Sequence, residues 1–235
     1  MRSGRSNLEM RPVEITTGVN KWAEGSCLIK CGDTQVICNA SVEYQRPLWK
    51  RLQNIPGGWV GAEYSMLPRA VDVRKSRKNI MDDNRSAEIS RLIGRALRAV
   101  VDMEVLGERS IIIDCDVIQA DGGTRCASIT GGFVALNLAV KKLMEMGKIK
   151  ANPIKDFVAA VSVGMVRGEA RLDIDFDEDC GAEIDANFVM LGSGKFVEAQ
   201  ATGEHGDFDQ AQLAEMMKAA EVGCRELINK QIKAV

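Results

Sequence analysis

The sequence has a single histidine, His205, among its 235 residues. This scarcity excludes metal sites that need several histidines, such as the HExxH type. It also disfavours a Ser-His-Asp triad, because His205 lies in a glycine-rich turn between Gly203 and Gly206, where a solvated loop histidine is expected. Catalytic chemistry would therefore have to come from carboxylates, arginines and any metal that they bind.

The sequence also lacks the patterns of membrane, secreted and zinc-ribbon proteins. No apolar run is long enough to cross a bilayer, and residues 1–7 are polar, without the apolar core of a signal peptide. The seven cysteines show no paired CxxC spacing, which argues against a zinc ribbon or a disulfide framework. We expect a reducing, cytoplasmic environment, no membrane partner and buried thiols in the apolar runs, at Cys27, Cys38, Cys115 and Cys126.

The chain has little excess of charge of either sign. Its formal net charge is −2, so any contact with nucleic acid must use a local basic patch. Charged residues make up 27% and hydrophobic residues 46% of the sequence, as in an ordinary globular protein. The length allows one large domain or two small ones fused around a shared sheet. Because no low-complexity linker is present, we expect one compact domain over residues 1–235.

The order of apolar patterns predicts an α+β fold. Strands, helix, strand, helix, strands and helix follow one another, which indicates two sheet-and-helix halves. Residues 172–177 alternate strictly and predict a strand with three aspartates on one solvated face: Asp173, Asp175 and Asp177. The other main predictions are a loop over 45–60, buried strands over 109–118 and 157–166, a helix over 86–102, an amphipathic helix from Thr124 to Met146, and a last helix capped by Asp209 and Gln212.

The most informative motif is Gln119–Arg125, which joins a predicted strand to a predicted helix. Gly122 and Gly123 allow backbone N–H groups to turn toward a ligand at the positive helix end. Thr124 offers a hydroxyl and Arg125 a two-pronged cation, so phosphate is the first candidate. Taken alone, the motif fits an ordinary turn with Thr124 as N-cap equally well. Arg125 favours the anion, because a cation at a helix start opposes the helix dipole.

Two further groups complete a candidate site. Asp179 and Asp185 lie on either side of Gly181, at a predicted loop-to-strand junction, and two carboxylates there can bind Mg²⁺. Arg85 begins the first long helix and, like Arg125, calls for an anion. A basic loop precedes it, whereas a second set of cations at helical spacing is expected to form a solvated face: Arg91, Arg95 and Arg98. Phosphate, a metal and a polyanionic chain are the components of phosphoryl transfer.

Ordered matches over nearly the whole chain resemble the bacterial ribonuclease PH family. The strongest match is Gln119–Arg125. The other matching segments include Gly4–Asn7, Gly58–Val60, Ala62–Arg69, Arg91–Arg95, Leu106–Arg109, Asp114–Val117, Pro153–Ala160 and Gly192–Glu198. The resemblance implies a ribonuclease PH-type fold and a phosphate-dependent 3′→5′ exoribonuclease that releases nucleoside diphosphates reversibly. It also implies a homohexamer, a trimer of dimers, that acts on RNA 3′ ends such as those of tRNA precursors.

The resemblance also assigns roles to individual residues. It implies that the phosphate co-substrate binds to three residues: Arg85, Thr124 and Arg125. It makes Asp179 and Asp185 both the catalytic residues and the ligands of Mg²⁺, with Mn²⁺ as the alternative metal. Three arginines of the basic loop are implied to bind RNA: Arg69, Arg74 and Arg77.

Departures from the family pattern concentrate in residues 70–86. Asn84-Arg85-Ser86 replaces the usual Gly-Arg-Thr. We expect Ser86 to keep the capping role and Asn84 to keep access to positive φ. Asp82 and Asp83 place negative charge near the predicted phosphate site, which predicts an effect on RNA choice. The alternative function is a catalytically weak ring subunit that binds RNA. It ranks lower because all five proposed phosphate-binding and catalytic positions are present.

Overall fold

The computed structural model describes residue 2, residues 4–77 and residues 83–235. The altered residues Ile80, Met81 and Asp82 therefore lie outside the described part. The described chain contains the strands β1 (Val13–Thr17), β2 (Gly25–Cys31), β3 (Thr34–Glu43), β4 (Trp59–Met66), β5 (Ser110–Gln119), β6 (Val158–Val166), β7 (Glu169–Leu172), β8 (Ile184–Leu191) and β9 (Phe196–Gly203). It contains the helices α1 (Leu48–Leu52), α2 (Asn84–Ala99), α3 (Met103–Leu106), α4 (Thr124–Glu145), α5 (Phe176–Cys180) and α6 (Gln210–Ala234).

The strands form two sheets, one in each half of the chain. The first sheet has the order β1-β2-β3-β5-β4 and the second β7-β6-β8-β9. All strand pairs are antiparallel except β4 with β5, which is parallel. The predicted α+β class with two sheet-and-helix halves is confirmed, as are the hairpin turn after Cys31 and the fully buried strand β6.

Helix α4 lies at the centre of the molecule. It packs against β2 and β3 of the first sheet and against β6 of the second. Sixteen of its 22 residues are buried. The prediction of an amphipathic helix is therefore wrong here, because sheets cover it on more than one side and no solvated stripe is left along most of its length. Its first residue, Thr124, lies where both halves of the chain meet.

Local patterns misled the sequence analysis at several points. The predicted strand over 172–177 ends at Leu172, and α5 begins at Phe176. Asp173 is buried rather than solvated, and Asp175 caps α5 in a capping box with Glu178. The expected loop over 45–60 contains α1 and the start of β4. The alternation predicted a strand, but Asp173 bonds to Arg11 from the far end of the chain and Asp175 caps a helix, so the segment forms a turn and a short helix instead.

The start of α2 also differs from its prediction. Its N-cap is Asp83, and Ser86 lies one turn inside the helix, where its hydroxyl donates to Asp83 Oδ2 at 2.7 Å. Asn84 is the first helical residue and does not have positive φ. The helix ends at Ala99, three residues before its predicted end. The capping box of α6, Asp209 with Gln212, is present as predicted.

The cysteines are free thiols, as expected. Six are buried and Cys180 is exposed. His205 is exposed in its loop, as its sequence context predicted. Among the helices of the described residues, none has the length and apolarity that crossing a membrane would require.

The ionised carboxylate of Asp114 is in an unfavourable position on the first sheet. It lies on β5 between Asn39 of β3 and Glu63 of β4. Partial burial, reinforced by the charges of Glu63 and Asp116, raises the pKa of Asp114 to about 6. The pKa of an aspartate in an unfolded chain is about 3.9. The folded state therefore binds the proton more tightly, and the ionised carboxylate destabilises it above pH 6 but not below about pH 4.

We therefore expect Asp114→Asn to stabilise the fold at neutral pH. The free energy of unfolding should rise by about 1 kcal/mol at pH 7 after solvent screening, or ~2–4 °C in unfolding temperature. The gain should shrink as the pH falls from 6 and vanish near pH 4. Calorimetry of both proteins across this range measures it, with Asp207→Asn, an exposed loop position, as the control for net charge. A gain that is independent of pH would contradict this explanation.

Candidate active site

The Gly122-Gly123 turn has the backbone that the sequence predicted. Both glycines have positive φ, at +73° and +65°. A Cβ on Gly122 would lie 2.5 Å from the carbonyl oxygen of Ile174, so the turn packs directly against the chain that leads into α5. Gly123 is the N-cap of α4 and Thr124 its first helical residue, so the alternative that Thr124 is the N-cap is wrong. The hydroxyl of Thr124 instead hydrogen-bonds to that of Tyr64 over 2.8 Å.

Tyr64 also connects this turn to the start of α2. The backbone N–H of Tyr64, on β4, donates to Ser90 Oγ at 2.9 Å, and Ser90 Oγ donates to the carbonyl of Ser86 at 2.7 Å. These bonds hold the first turns of α2 against β4. Arg85, in the first turn of α2, therefore lies near the N-terminus of α4. The two helix starts that the sequence marked with arginine are neighbours in space.

The two predicted catalytic aspartates come from α5 and β8. Asp179 lies in α5 rather than in a loop, and Asp185 is the second residue of β8 rather than a residue before it. The contact between Gly122 and the Ile174–Asp175 backbone brings α5 next to the Gly122-Gly123 turn. Five predicted residues consequently line one cleft of about 330 Å³: Arg85, Thr124, Arg125, Asp179 and Asp185.

The charges within this cleft influence one another. Partial burial raises the pKa of Asp179, and the cations Arg125 and Arg85 oppose the rise. Burial also raises the pKa of Asp185, reinforced by the charge of Asp179. Glu204 raises both values further. Two carboxylates in such surroundings gain from a shared proton or a cation.

The donor set of this cleft suits Mg²⁺. Within the ranges that the structure describes, no three His, Cys, Asp or Glu side chains form a group that could hold a metal by themselves. The cleft instead offers two carboxylates, those of Asp179 and Asp185. Mg²⁺ typically binds in this way, through one or two carboxylates, substrate phosphates and retained waters.

The basic loop lies at the edge of the cleft. Arg69, Arg74 and Arg77 are exposed and do not line it, and Nη1 of Arg69 donates to the carbonyl of Asp72 at 2.7 Å. Lys75 of the same loop does line the cleft. The three predicted RNA-binding arginines are thus separate from the five predicted residues that line the cleft. Lys75 lines the cleft together with those five.

Sequence reasoning missed several residues of the site. Asn187 lines the cleft, and its Nδ2 donates to Asp185 Oδ1 at 3.5 Å. Its position two residues after Asp185 on one strand was the signal that could have identified it. Tyr64 and Glu204 carried no such signal, because their roles depend on contacts between distant elements. Arg98 was expected to be solvated, but it lies 4.4 Å from the ring centre of Trp59 and donates to the carbonyl of Val60.

Comparison with known proteins identifies the family. Residues 9–142 match domain 1, and residues 156–223 match domain 2, of the 3′ exoribonuclease family RNase PH. The chain belongs to this family. It is 54% identical to ribonuclease PH of Solibacter usitatus, covering 95% of this chain and 94% of that one. It is also 54% identical to ribonuclease PH of Bacillus pumilus, covering 97% and 94%.

Two solved structures share the fold at lower identity. Rice Rrp46 matches with a TM-score of 0.79 and 16% identity, covering 97% of both chains. A chain of the Archaeoglobus fulgidus exosome with RNA bound to the active site matches with a TM-score of 0.81 and 23% identity, covering 97% of this chain and 91% of that one. The predicted family, the predicted fold and the predicted class of activity, a phosphate-dependent 3′→5′ exoribonuclease, are confirmed.

Proposed function

We propose that the cleft shared by α2, α4, α5 and β8 performs phosphorolysis at RNA 3′ ends, including those of tRNA precursors. One observation carries the proposal: two arginines, a threonine and two carboxylates, from four separate elements, line the same cleft of about 330 Å³. Arg85, Thr124 and Arg125 hold the attacking phosphate through charge-assisted hydrogen bonds at the positive end of α4. Asp179 and Asp185 act at the ribose 3′ oxygen.

The reaction exchanges a phosphodiester bond for a phosphoanhydride bond. An oxygen of inorganic phosphate forms a bond to the phosphorus of the last phosphodiester, and the bond from that phosphorus to the 3′ oxygen breaks. The 3′ oxygen takes up a proton, the terminal residue leaves as a nucleoside diphosphate, and the RNA is one nucleotide shorter. Because the bond that forms and the bond that breaks are close in free energy, the reaction is reversible as nucleotidyl addition.

The two carboxylates together serve metal binding and proton transfer. Asp179 and Asp185 would hold Mg²⁺, which when bound offsets charge on the phosphoryl oxygens. A carboxyl with a raised pKa is suited to give a proton to the departing 3′ oxygen. Because the two carboxyl groups interact, the proton is taken up and released by the pair and not by one residue alone.

The RNA chain would approach over the basic loop. Arg69, Arg74 and Arg77 are exposed there and can pair with backbone phosphates without regard to sequence. Lys75 continues this line of cations into the cleft. The negative charge of Asp83 lies in an adjoining pocket beside Arg85, where it is suited to influence which RNA end is accepted.

We also propose that the chain is a single domain that assembles as a homohexamer, a trimer of dimers, in the cytoplasm. Because α4 packs against both sheets, one calorimetric transition is expected. Large apolar side chains on α1, Leu48 and Leu52, are 61% and 77% exposed, as at a contact between copies. The mass from light scattering tests the hexamer. Six buried free thiols suit a reducing compartment.

A product assay tests the proposed function. A tRNA precursor with extra 3′ nucleotides is incubated with the protein and Mg²⁺, with or without inorganic phosphate. We expect nucleoside diphosphates to appear only with phosphate, and chelation of the metal to stop their release. Nucleoside monophosphates as the sole product, or turnover that does not depend on phosphate, would refute phosphorolysis. RNA binding without any turnover would favour the weak ring subunit.

A further inference from the structure

Arg11 is a buried arginine directly beneath the cleft. It precedes β1 and is only 7% exposed. Two nitrogens of its guanidinium bond the carboxylate of Asp173: Nε lies 3.0 Å from Oδ2, and Nη2 lies 2.6 Å from Oδ1. The backbone N–H of Arg11 also donates to Asp173 Oδ2, at 2.8 Å. Arg11 and Asp173 are thus joined by three hydrogen bonds although 162 residues separate them.

The third guanidinium nitrogen of Arg11, Nη1, reaches the proposed phosphate-binding turn. Its Nη1 donates to the carbonyl oxygen of Asp121, the residue before Gly122. The carboxylate of Asp121 in turn accepts from the backbone N–H of Phe176, the first residue of α5, at 3.3 Å. Arg11 therefore contacts both the turn that begins α4 and the segment that leads into α5.

Asp173 has a backbone conformation that needs support. Its φ is +54°, in the left-handed region that side-chain-bearing residues rarely adopt. Its backbone N–H donates to the carbonyl of Ser162 at 2.8 Å. Burial alone would lower the pKa of Arg11, but the hydrogen bonds and charge of Asp173 outweigh this and raise it. The guanidinium of Arg11 therefore stays charged, and its bonds to Asp173 hold the segment that leads into α5.

We propose that Arg11 is a positioning residue for phosphorolysis: by bridging Asp121 and Asp173, it fixes the phosphate-binding turn relative to the helix that carries Asp179. The inference rests on the proposed function of the cleft. Arg11 does not line the cleft, so it acts through the two segments that it joins. Small misplacements of reacting groups reduce rates strongly, by as much as about 10²-fold for 1 Å.

A second attachment restricts α5 further. Glu178, the neighbour of Asp179, receives Arg2 Nη2 at 2.8 Å on one carboxylate oxygen and Arg171 Nη1 at 3.2 Å on the other. Arg5 lies 3.4 Å from the same carboxylate. With α5 held at Glu178 and its entry held at Asp173, the helix has little freedom to turn. The N-terminal segment, which carries Arg2, Arg5 and Arg11, thereby supports the site.

Arg11→Lys separates positioning from simple stability. Lysine keeps the charge beside Asp173 but loses the fork that reaches Asp121 and Asp173 together. We expect its unfolding temperature to stay within a few degrees of the original, while kcat falls by about 10–100-fold. The KM for phosphate should change less than threefold, because Arg125 and Thr124 still bind it. Arg11→Met, without the charge, should lose both stability and turnover.

Arg109→Lys is the matched control. Arg109 is also partly buried and also joins two carbonyl groups, those of Leu106 and Lys148 at 3.0 and 2.8 Å, away from the cleft. We expect its unfolding temperature to change by no more than that of Arg11→Lys and its kcat to stay within twofold. Arg11→Lys with unchanged kcat, or Arg109→Lys with an equal loss of kcat, would overturn the proposal. If Arg11→Met does not fold, Asp173→Asn replaces it, and its kcat should fall as in Arg11→Lys.

Hydrogen exchange gives a readout that does not depend on catalysis. Amides of α5 should exchange at least about tenfold faster in Arg11→Lys, while those of α6 stay unchanged. Unchanged exchange in α5 would overturn the positioning role even if phosphorolysis itself is not observed. Absence of phosphate-dependent product from the unaltered protein would instead count against the proposed function, so the two failures are distinguishable.

Discussion

Asp185→Asn is expected to lower the kcat of phosphorolysis by about 10²–10⁴-fold, the range for loss of a group that takes part in proton transfer. Asparagine has nearly the same shape, and its amide oxygen can still accept from Asn187 Nδ2, as the Asp185 carboxylate does at 3.5 Å. What it lacks is the charge to bind Mg²⁺ and the ability to hold a proton. Single-turnover rates with saturating phosphate measure the change.

RNA affinity should survive this substitution. Asp185 lines the cleft, whereas the exposed arginines of residues 69–77 are the residues proposed to attract RNA. We expect the Kd for RNA, measured by fluorescence anisotropy, to change less than about threefold. Asp177→Asn is the matched control, because Asp177 is exposed on α5 but does not line the cleft. A variant at Asp185 as active as that control would show that the carboxylate has no chemical role.

Arg125→Ala is expected to lower kcat/KM for phosphate by about 10²–10³-fold, as loss of one donor to a developing charge does in other enzymes. The guanidinium of Arg125 has only a long contact in the described structure, 3.5 Å to Gln200 Oε1, so it is available to a ligand. Its removal leaves Arg85 and Thr124 as the other phosphate-binding side chains. Initial rates over a range of phosphate concentrations measure the effect.

The loss should appear mainly in the response to phosphate. We expect the KM for phosphate to rise and the Kd for RNA to stay within a few fold, since Arg125 is proposed to contact phosphate and not the RNA chain. Arg125→Lys should recover part of the rate, because a point charge replaces one arm of the fork. Arg91→Ala, an exposed arginine on α2 outside the cleft, serves as the control. Equal losses in Arg125→Ala and Arg91→Ala would refute a specific phosphate contact.

Much of the candidate site was predictable because its signals are local. A glycine pair between an apolar strand and a helix predicts a turn with positive φ, and the structure has it at Gly122 and Gly123. The capping box at Asp209 likewise needs only residues three apart. The resemblance to one family then assigned five residues, and the fold brings those five into one cleft. Their individual roles stay predictions until the variants are measured.

The errors occur where distant segments decide the outcome. Asp173 belongs to an alternating pattern that predicted a solvated strand face, yet it is buried on Arg11 from the other end of the chain. Arg98 fits a solvated helix stripe, yet it packs on Trp59. In each case a charged side chain loses contact with water, almost fully for Asp173 and in part for Arg98, and a specific partner compensates for the loss. No periodicity in the sequence reveals that partner.

Sequence patterns and the family resemblance were enough to predict the family, the α+β class, the strand-to-helix anion turn and the candidate chemistry of two arginines and two aspartates. Three features could be seen only once the chain is folded: α4 is buried between two sheets, Tyr64 joins the starts of α2 and α4, and Arg11 connects the Gly122-Gly123 turn to α5. The reason is physical. Turns, caps and strand alternation are satisfied within a few residues, whereas burial and ion pairing depend on which surfaces the two sheets cover when they pack.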